Sequence, residues 1–493
     1  MPMPRSEPAD TRAPGTPTAP TGTARRRWPA RVVPLAAIAV CAVLILGPFT
    51  PGTVGGASVA LMLVLVLAKV PLGAALAVPG IAGLYGLYGA PAVVNVLARL
   101  PFDTVASWEF SVIPMFVFMG LLLWKAGVTE QLYTALRGLV GWMPGGLAVV
   151  TNAAGAGLAS VSGSTVGTVH ALARIGVPEM LRAGYDKRLA VGSVVAAGLP
   201  GQVIPPSIFL VIYAGLAQVP VGPQLIAGIA PGVLLALCMA GTVVVLCTVR
   251  PSMGGRRGRP GDVFAPATRA ALRLLWPLPL LIGVVLGSMY TGVVTVTEAG
   301  AVGALGAVLI ALWCKRGDRP LATVGLAAVD ALKAMGTIFF LFVGAMAMAQ
   351  VLAVSGIGPG FSAWVTGMGL GRVGFLLLVM AAFLVMGMFM DPLSMMLVTV
   401  PLLVPALGEL GISPLWFGVF VVVLAELAIV TPPVGVLTFI VQNIVERPEV
   451  GLGRDIRLGD TFRGVALFLP TVVLVCVLLI LFPEIATFLP DSM

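Results

Sequence analysis

From residue 32 almost to the C-terminus, apolar stretches follow one another with only short polar breaks between them. A hydrocarbon layer of about 30 Å needs roughly 20 apolar residues in a helix, so recurring stretches near that length predict an all-α integral membrane protein. Composition agrees: 59% of the 493 residues are hydrophobic and 10% are charged, too little charge to cover a water-soluble surface. The formal charge of +9 does not point to nucleic acid, because Lys and Arg sit in short clusters between apolar segments rather than on a basic face interleaved with aromatics. Cys41, Cys238, Cys247, Cys314 and Cys476 lie in or beside apolar segments without CxxC or metal-ligand spacing, so no disulfide or zinc framework is implied.

Residues 1–30, rich in Pro, Thr, Ala and Arg, read as a disordered cytoplasmic tail. Residues 31–55 hold an extra N-terminal anchor, with a span over 32–49 too long for the apolar core of a cleaved signal. Spans follow over 57–70, 72–88 and 108–124, then an amphipathic interfacial helix over 127–141. Residues 146–180 form two short limbs around a small polar cluster and predict a re-entrant hairpin, whose tip must be satisfied by protein or a water-filled cavity. In 189–216 two prolines remove amide donors at 203–207 and break the helix in mid-membrane. Further spans are expected over 225–249, 274–289, 293–313 and 334–354. An interfacial stretch over 356–371, a second hairpin over 373–407, a second broken helix over 415–444 and a span over 465–482 complete the chain. The total is about eleven crossings plus two re-entrant hairpins.

The second half repeats the first. Gly127 and Gly356 lie 229 residues apart, as do Ser162 and Asp391, and Pro205 and Pro432 lie 227 apart. The repeats run over 56–271 and 272–489. Five crossings separate equivalent points, an odd number, so the copies should have opposite orientation, the plan in which secondary transporters pair discontinuous helices around midplane sites. With the N-terminus cytoplasmic, the clusters over 174–188, 250–273, 315–333 and 447–463 all fall inside. Of the 29 basic residues only Arg99 and Arg372 are then outside, and the C-terminus is periplasmic.

Half-helices that end inside a membrane expose unpaired amides or carbonyls able to replace ion hydration. Carbonyls at Gly201 and Ile204, beside Pro205 and facing the tip at Ser162, suit one sodium ion, and those at Thr431 and Pro432, facing Asp391, suit a second. Asp391 lies in a run of Phe, Met, Leu and Val, where a carboxylate needs a partner. It reads as a cation ligand, as a cap of the following helix, or as both. Ser160, Ser162, Gly163, Ser164 and Thr165 of the first tip, and Pro206, Ser207 and Pro433 of the breaks, are the candidate substrate contacts, although small residues also serve helix packing and prolines also serve as kinks. Glu298 and Glu426 stand in apolar surroundings and read first as internal bonds of the scaffold. His170 reads as a packing residue rather than a proton relay. GAG at 155–157 lacks a dinucleotide-site setting and no Walker pattern occurs, so ATP hydrolysis is not expected.

The segment AGLASVSGSTVGTVHALARIGVPEMLRAGYDKRLAVGSVVAAGLPGQVIPPSIFLVIYAGLAQVPVGPQLIAGIAPGVLL resembles the signature region of the large permease subunit of tripartite ATP-independent periplasmic (TRAP) transporters, the DctM-like family. TVTEAGAV, GMFMDPLSMMLVTVPLLVP and IVTPPVGVLTF resemble further family motifs in order, and the resemblance covers about residues 56–489. It implies an elevator-type carrier in the bacterial inner membrane, in which a unit holding both hairpins and both broken helices slides past a fixed scaffold. Implied too are sodium as coupling ion without a resident cofactor, an organic acid such as a C4-dicarboxylate as substrate, a separate small membrane subunit of about four spans, and a periplasmic binding protein. It also implies sodium sites at Ser162, Gly201, Ile204, Pro205, Asp391 and Thr431. Glu426 departs from the family pattern, in which Asn is common before the second break. A stand-alone sodium-coupled carrier of the divalent-anion type is the nearest alternative, and a membrane-embedded enzyme is disfavoured by one His and no paired nucleophile and base.

Overall fold

The computed structural model describes residues 28–317, 319–432 and 435–492, and among them the chain is helical, with no strand. Helix is what a bilayer demands, because each backbone N–H and C=O must be bonded within its own segment. Residues 1–27 of the expected tail lie outside the described residues, and the first helix, Trp28–Leu46, begins inside the range assigned to that tail. Pro29 stands in its first turn, where a missing amide costs little.

Pro51–Leu67, Leu72–Tyr88 and Val112–Lys125 occupy the three expected early spans. After Lys125 the chain bends by 68° into Val128–Val140, the amphipathic helix expected along the interface. Among the described residues, six helices are long and apolar enough to cross a membrane unaided: Val221–Val249, Pro266–Tyr290, Val296–Cys314, Pro320–Val354, Pro392–Glu409 and Leu458–Leu481. The remaining candidate crossings are shorter or broken, so length alone does not separate a crossing from a hairpin limb. Pro392–Glu409, with 18 residues, passes the length test yet is the second limb of the second hairpin.

Some helical structure was not expected. Ala90–Val105 is a further amphipathic helix, with Pro101 inside it. Pro320–Val354 runs for 35 residues, beginning far ahead of the span placed at 334–354. At 1.5 Å per residue it is roughly 52 Å long, more than a bilayer core needs. Its N-terminal half carries Asp330, which pairs with Lys125 at 2.8 Å.

The hairpins and breaks fall where the sequence places them. Hairpin 1 is Gly146–Ser162 and Thr165–Arg182; broken helix 1 is Lys187–Ala197 and Ile208–Ala217. Hairpin 2 is Arg372–Met386 and Pro392–Glu409; broken helix 2 is Pro414–Val430 and Val436–Val445. Three of these helices start 227 or 228 residues after their counterparts, and the second limbs of both hairpins are 18 residues long. Thr242 and Thr471, 229 residues apart, share a hydrogen bond at 2.6 Å.

The broken helices form the centre. Every residue from Trp416 to Val430 is buried, as is every residue from Leu189 to Ala197. Around them stand helices with apolar residues on the outside, Leu237, Leu305 and Leu332 among them, a surface suited to lipid rather than water. Pro320–Val354 packs along Leu72–Tyr88 and Val112–Lys125. A Cβ on Gly80 would come within 2.8 Å of the Met348 backbone, so small residues set the approach of these helices.

Candidate functional site

At the first tip, Gly163 takes a left-handed backbone (φ 62°) that reverses the chain, and Ser164 caps the second limb by accepting from the Gly167 N–H at 3.1 Å. The Ser162 and Thr168 hydroxyls lie 3.3 Å apart, and Ser160 donates back to the Gly157 carbonyl at 3.0 Å. Gln202, on the short helix Pro200–Gln202 inside the first break, holds this tip from behind. With its amide turned so that the oxygen faces the tip, it accepts from the N–H groups of Ser164 and Thr165 at 3.0 Å each. The sequence reading passed over Gln202, because one amide in an apolar segment carries no spacing signal.

The first break is capped in the same manner. Ser207 accepts from the Leu210 N–H at 3.2 Å, and its hydroxyl donates to the Gln202 carbonyl. The peptide joining Pro205 to Pro206 is cis. At the second tip, Asp391 caps Pro392–Glu409: its carboxylate accepts from the Ser394 N–H at 3.2 Å and from the Ser394 hydroxyl. The capping role is therefore realised, while the Asp391 side chain stays exposed on a cavity wall. Broken helix 2 ends with Thr431 donating to the Leu427 carbonyl at 2.7 Å, and resumes after Gly435 in a left-handed backbone. Pro432 lies in the intervening turn, and Pro433 is outside the described residues.

A cavity of about 380 Å³ opens where these parts meet. Both tips line it, Ser162 to Val166 from one and Asp391 to Leu393 from the other. The two broken helices add Ile208, Phe209, Ile212, Glu426 and Ile429. The outer helices contribute only apolar side chains, Val117 and Leu121 from one and Ala334 and Ile338 from the other. At Gly120 the outer helix touches the first tip so closely that a Cβ would stand 2.0 Å from the Val161 carbonyl oxygen.

The structure thus gathers Ser162, Gly163, Ser164, Thr165 and Asp391 around one space. Ser160, Pro206, Ser207, Thr431 and Pro432 lie near it without lining it. Gly201 is packed behind the tip against residues 156–160, and Ile204 against Gly232, with Pro205 buried beside it, so the first expected cation set is split between the cavity and the wall behind. Glu426, read from sequence as a scaffold residue, is fully buried, and its Oε1 and Oε2 lie 3.0 and 2.9 Å from the Thr165 hydroxyl. The first hairpin's tip is bonded directly to the second broken helix, a contact across 261 residues that no local pattern announces. Glu298, by contrast, is exposed and forms a capping box with Thr295. His170 is exposed on the second limb of hairpin 1, away from the cavity lining.

A cavity with mostly apolar walls and a few polar groups converging from paired hairpin tips and interrupted helices, in an apolar helical bundle, defines a multi-pass membrane transporter. Residues 59–485 match the family described as tripartite ATP-independent periplasmic transporter, DctM component. The chain belongs to that family of TRAP large permeases, which are transporters and not enzymes. It is 32% identical over 401 residues to a C4-dicarboxylate TRAP transporter large permease of Pseudomonas aeruginosa, covering 81% of this chain and 90% of that one. It is 30% identical over 442 residues to an ectoine TRAP transporter large permease of Halomonas elongata, covering 88% and 98%. In fold it is similar to the YdaH transporter of Alcanivorax borkumensis, with a TM-score of 0.60 at 18% identity over 87% of this chain and 98% of that one. Membership implies a small membrane subunit and a periplasmic binding protein as partners, and a place in the inner membrane.

Proposed function

We propose that the cavity between the tips binds a carboxylate-bearing organic anion together with sodium, and that the protein imports both after the binding protein delivers the anion. The observation that carries this reading is the unequal capping of the half-helices around one space. The N-termini of Thr165–Arg182 and Ile208–Ala217 are capped by neutral serine hydroxyls and keep their positive ends, which attract an anion. The N-terminus of Pro392–Glu409 is capped by the Asp391 carboxylate, whose negative charge attracts a cation. Ser162 contributes a hydroxyl oxygen beside them, suited to a hard cation. A second sodium set of Asp391, Thr431 and Pro432 is supported by the exposure of Asp391 to the cavity; a first set of Ser162, Gly201, Ile204 and Pro205 would need the wall behind the tip to shift.

C4-dicarboxylates and ectoine, named for the two relatives, both carry a carboxylate. The hairpins and broken helices are read as one mobile unit, and Leu72–Tyr88, Val112–Lys125 and Pro320–Val354 as the fixed scaffold. The all-apolar outer wall of the cavity supports sliding, since no polar bond there has to break. The matched element spacing and the Thr242–Thr471 contact support two repeats related by a two-fold axis, and the charge clusters support a cytoplasmic N-terminus and a periplasmic C-terminus.

Asp391→Asn tests the reading: the complex with both partners, in proteoliposomes, should insert normally yet lose sodium-driven uptake of the anion that the binding protein selects. Wild-type rates with unchanged sodium dependence would refute the role given to Asp391.

A further inference from the structure

Glu426 and Thr165 stand in a relation that simple packing does not require. Both carboxyl oxygens lie within hydrogen-bond distance of one hydroxyl, at 3.0 and 2.9 Å. A hydroxyl has one proton and two lone pairs, so an ionised carboxylate leaves one short oxygen–oxygen approach without its own proton. A protonated carboxyl satisfies both: the Thr165 O–H donates to one oxygen, and the acid's own O–H donates to the Thr165 oxygen. The carboxyl is fully buried, no basic side chain lines the cavity among the described residues, and Asp391 is on the same wall. An ionised group there is costly unless it is paired.

From this geometry we propose that Glu426 is a proton-exchanging latch: its neutral acid holds the first hairpin tip against the second broken helix, and parting the two exposes the carboxyl to cavity water, to which it gives up its proton. The proton leaves as hydronium and the carboxylate remains on Glu426. The chain thus carries a proton site, linked to movement of the tip, beside any cation site at Asp391. The proposal stands whether or not sodium is the coupling ion.

The surroundings of Pro414–Val430 point to Glu426 itself as the exchanging group. Asp391 is the ionisable neighbour that shares the cavity. Tyr213 bonds the Pro414 carbonyl and Arg372 stacks over Trp416, both at the opposite end of the helix. Cys476 is buried on Leu469–Leu481. Glu409 and Glu446 terminate their helices at the ends remote from the tip and the break, and Glu484 and Asp491 lie on the C-terminal helix Glu484–Asp491.

Infrared spectroscopy of the purified full chain in lipid, titrated from neutral to alkaline pH without substrate, tests this directly. The wild type should show a protonated-carboxyl C=O band that disappears on titration. Glu426→Gln, which keeps the size and the Thr165 bond, should lack that band. Thr165→Val should keep the band but shift it to higher wavenumber, because the hydrogen bond is lost. Identical wild-type and Glu426→Gln spectra, in variants that elute as folded protein, would overturn the proposal while leaving the role of Asp391 untouched.

Discussion

Single side chains decide which ends of the broken elements carry charge. Ser164, Ser207 and Asp391 occupy equivalent capping geometry, yet only Asp391 brings a negative charge, so cation and anion preferences separate within one cavity. Ser164→Ala should cost about 1 kcal/mol as a lost cap, read as a lower Tm of the protein in lipid nanodiscs, and should weaken uptake at limiting substrate. An unchanged Tm would mean that Gln202 alone orders the tip. Gly120→Val should be harsher, since its side chain meets the Val161 carbonyl. Overpacking of this kind costs about 1–3 kcal/mol, and the variant should hold the tip displaced and transport poorly. These residues differed in legibility. Asp391 and the Ser-rich tip stand out in the sequence as polar groups inside apolar runs, whereas Gln202 and Glu426 acquire meaning only when distant segments meet.

Hairpins and breaks were readable because the chemistry that interrupts a helix is local. Two adjacent prolines, or a Ser–Gly–Ser cluster, remove amide donors or favour a reversal wherever they occur. The long helix Pro320–Val354 and the amphipathic Ala90–Val105 were not readable, because hydropathy registers what oil accepts and is silent on helix that continues outside it. Breaking an element is also a claim about function. Pro205→Ala combined with Pro206→Ala should let Lys187–Ala197 and Ile208–Ala217 approach a continuous helix, remove the Ser207 cap and abolish uptake while the protein still inserts. Normal transport by the double variant would make the break merely structural.

At the scale of the whole chain, the proposed repeat relation rests on landmark spacing, on the near-constant offset of helix starts and on the touching pair Thr242 and Thr471. What spacing alone could not supply is the partition into a central unit and an outer wall, since burial depends on which helix faces which. That partition predicts relative movement of Leu121 and Val166, which line the cavity from the outer helix and the first tip. With the five native cysteines replaced, Leu121→Cys and Val166→Cys joined by a short thiosulfonate linker should stop uptake, and reductant should restore it. Undiminished uptake by the linked protein would exclude sliding at this wall. The most direct test of the central claim is uptake by wild-type complex in proteoliposomes, supplied with loaded binding protein under an inward sodium gradient or an equal potassium gradient. The cavity chemistry predicts accumulation with sodium and none with potassium; equal accumulation with both would contradict it.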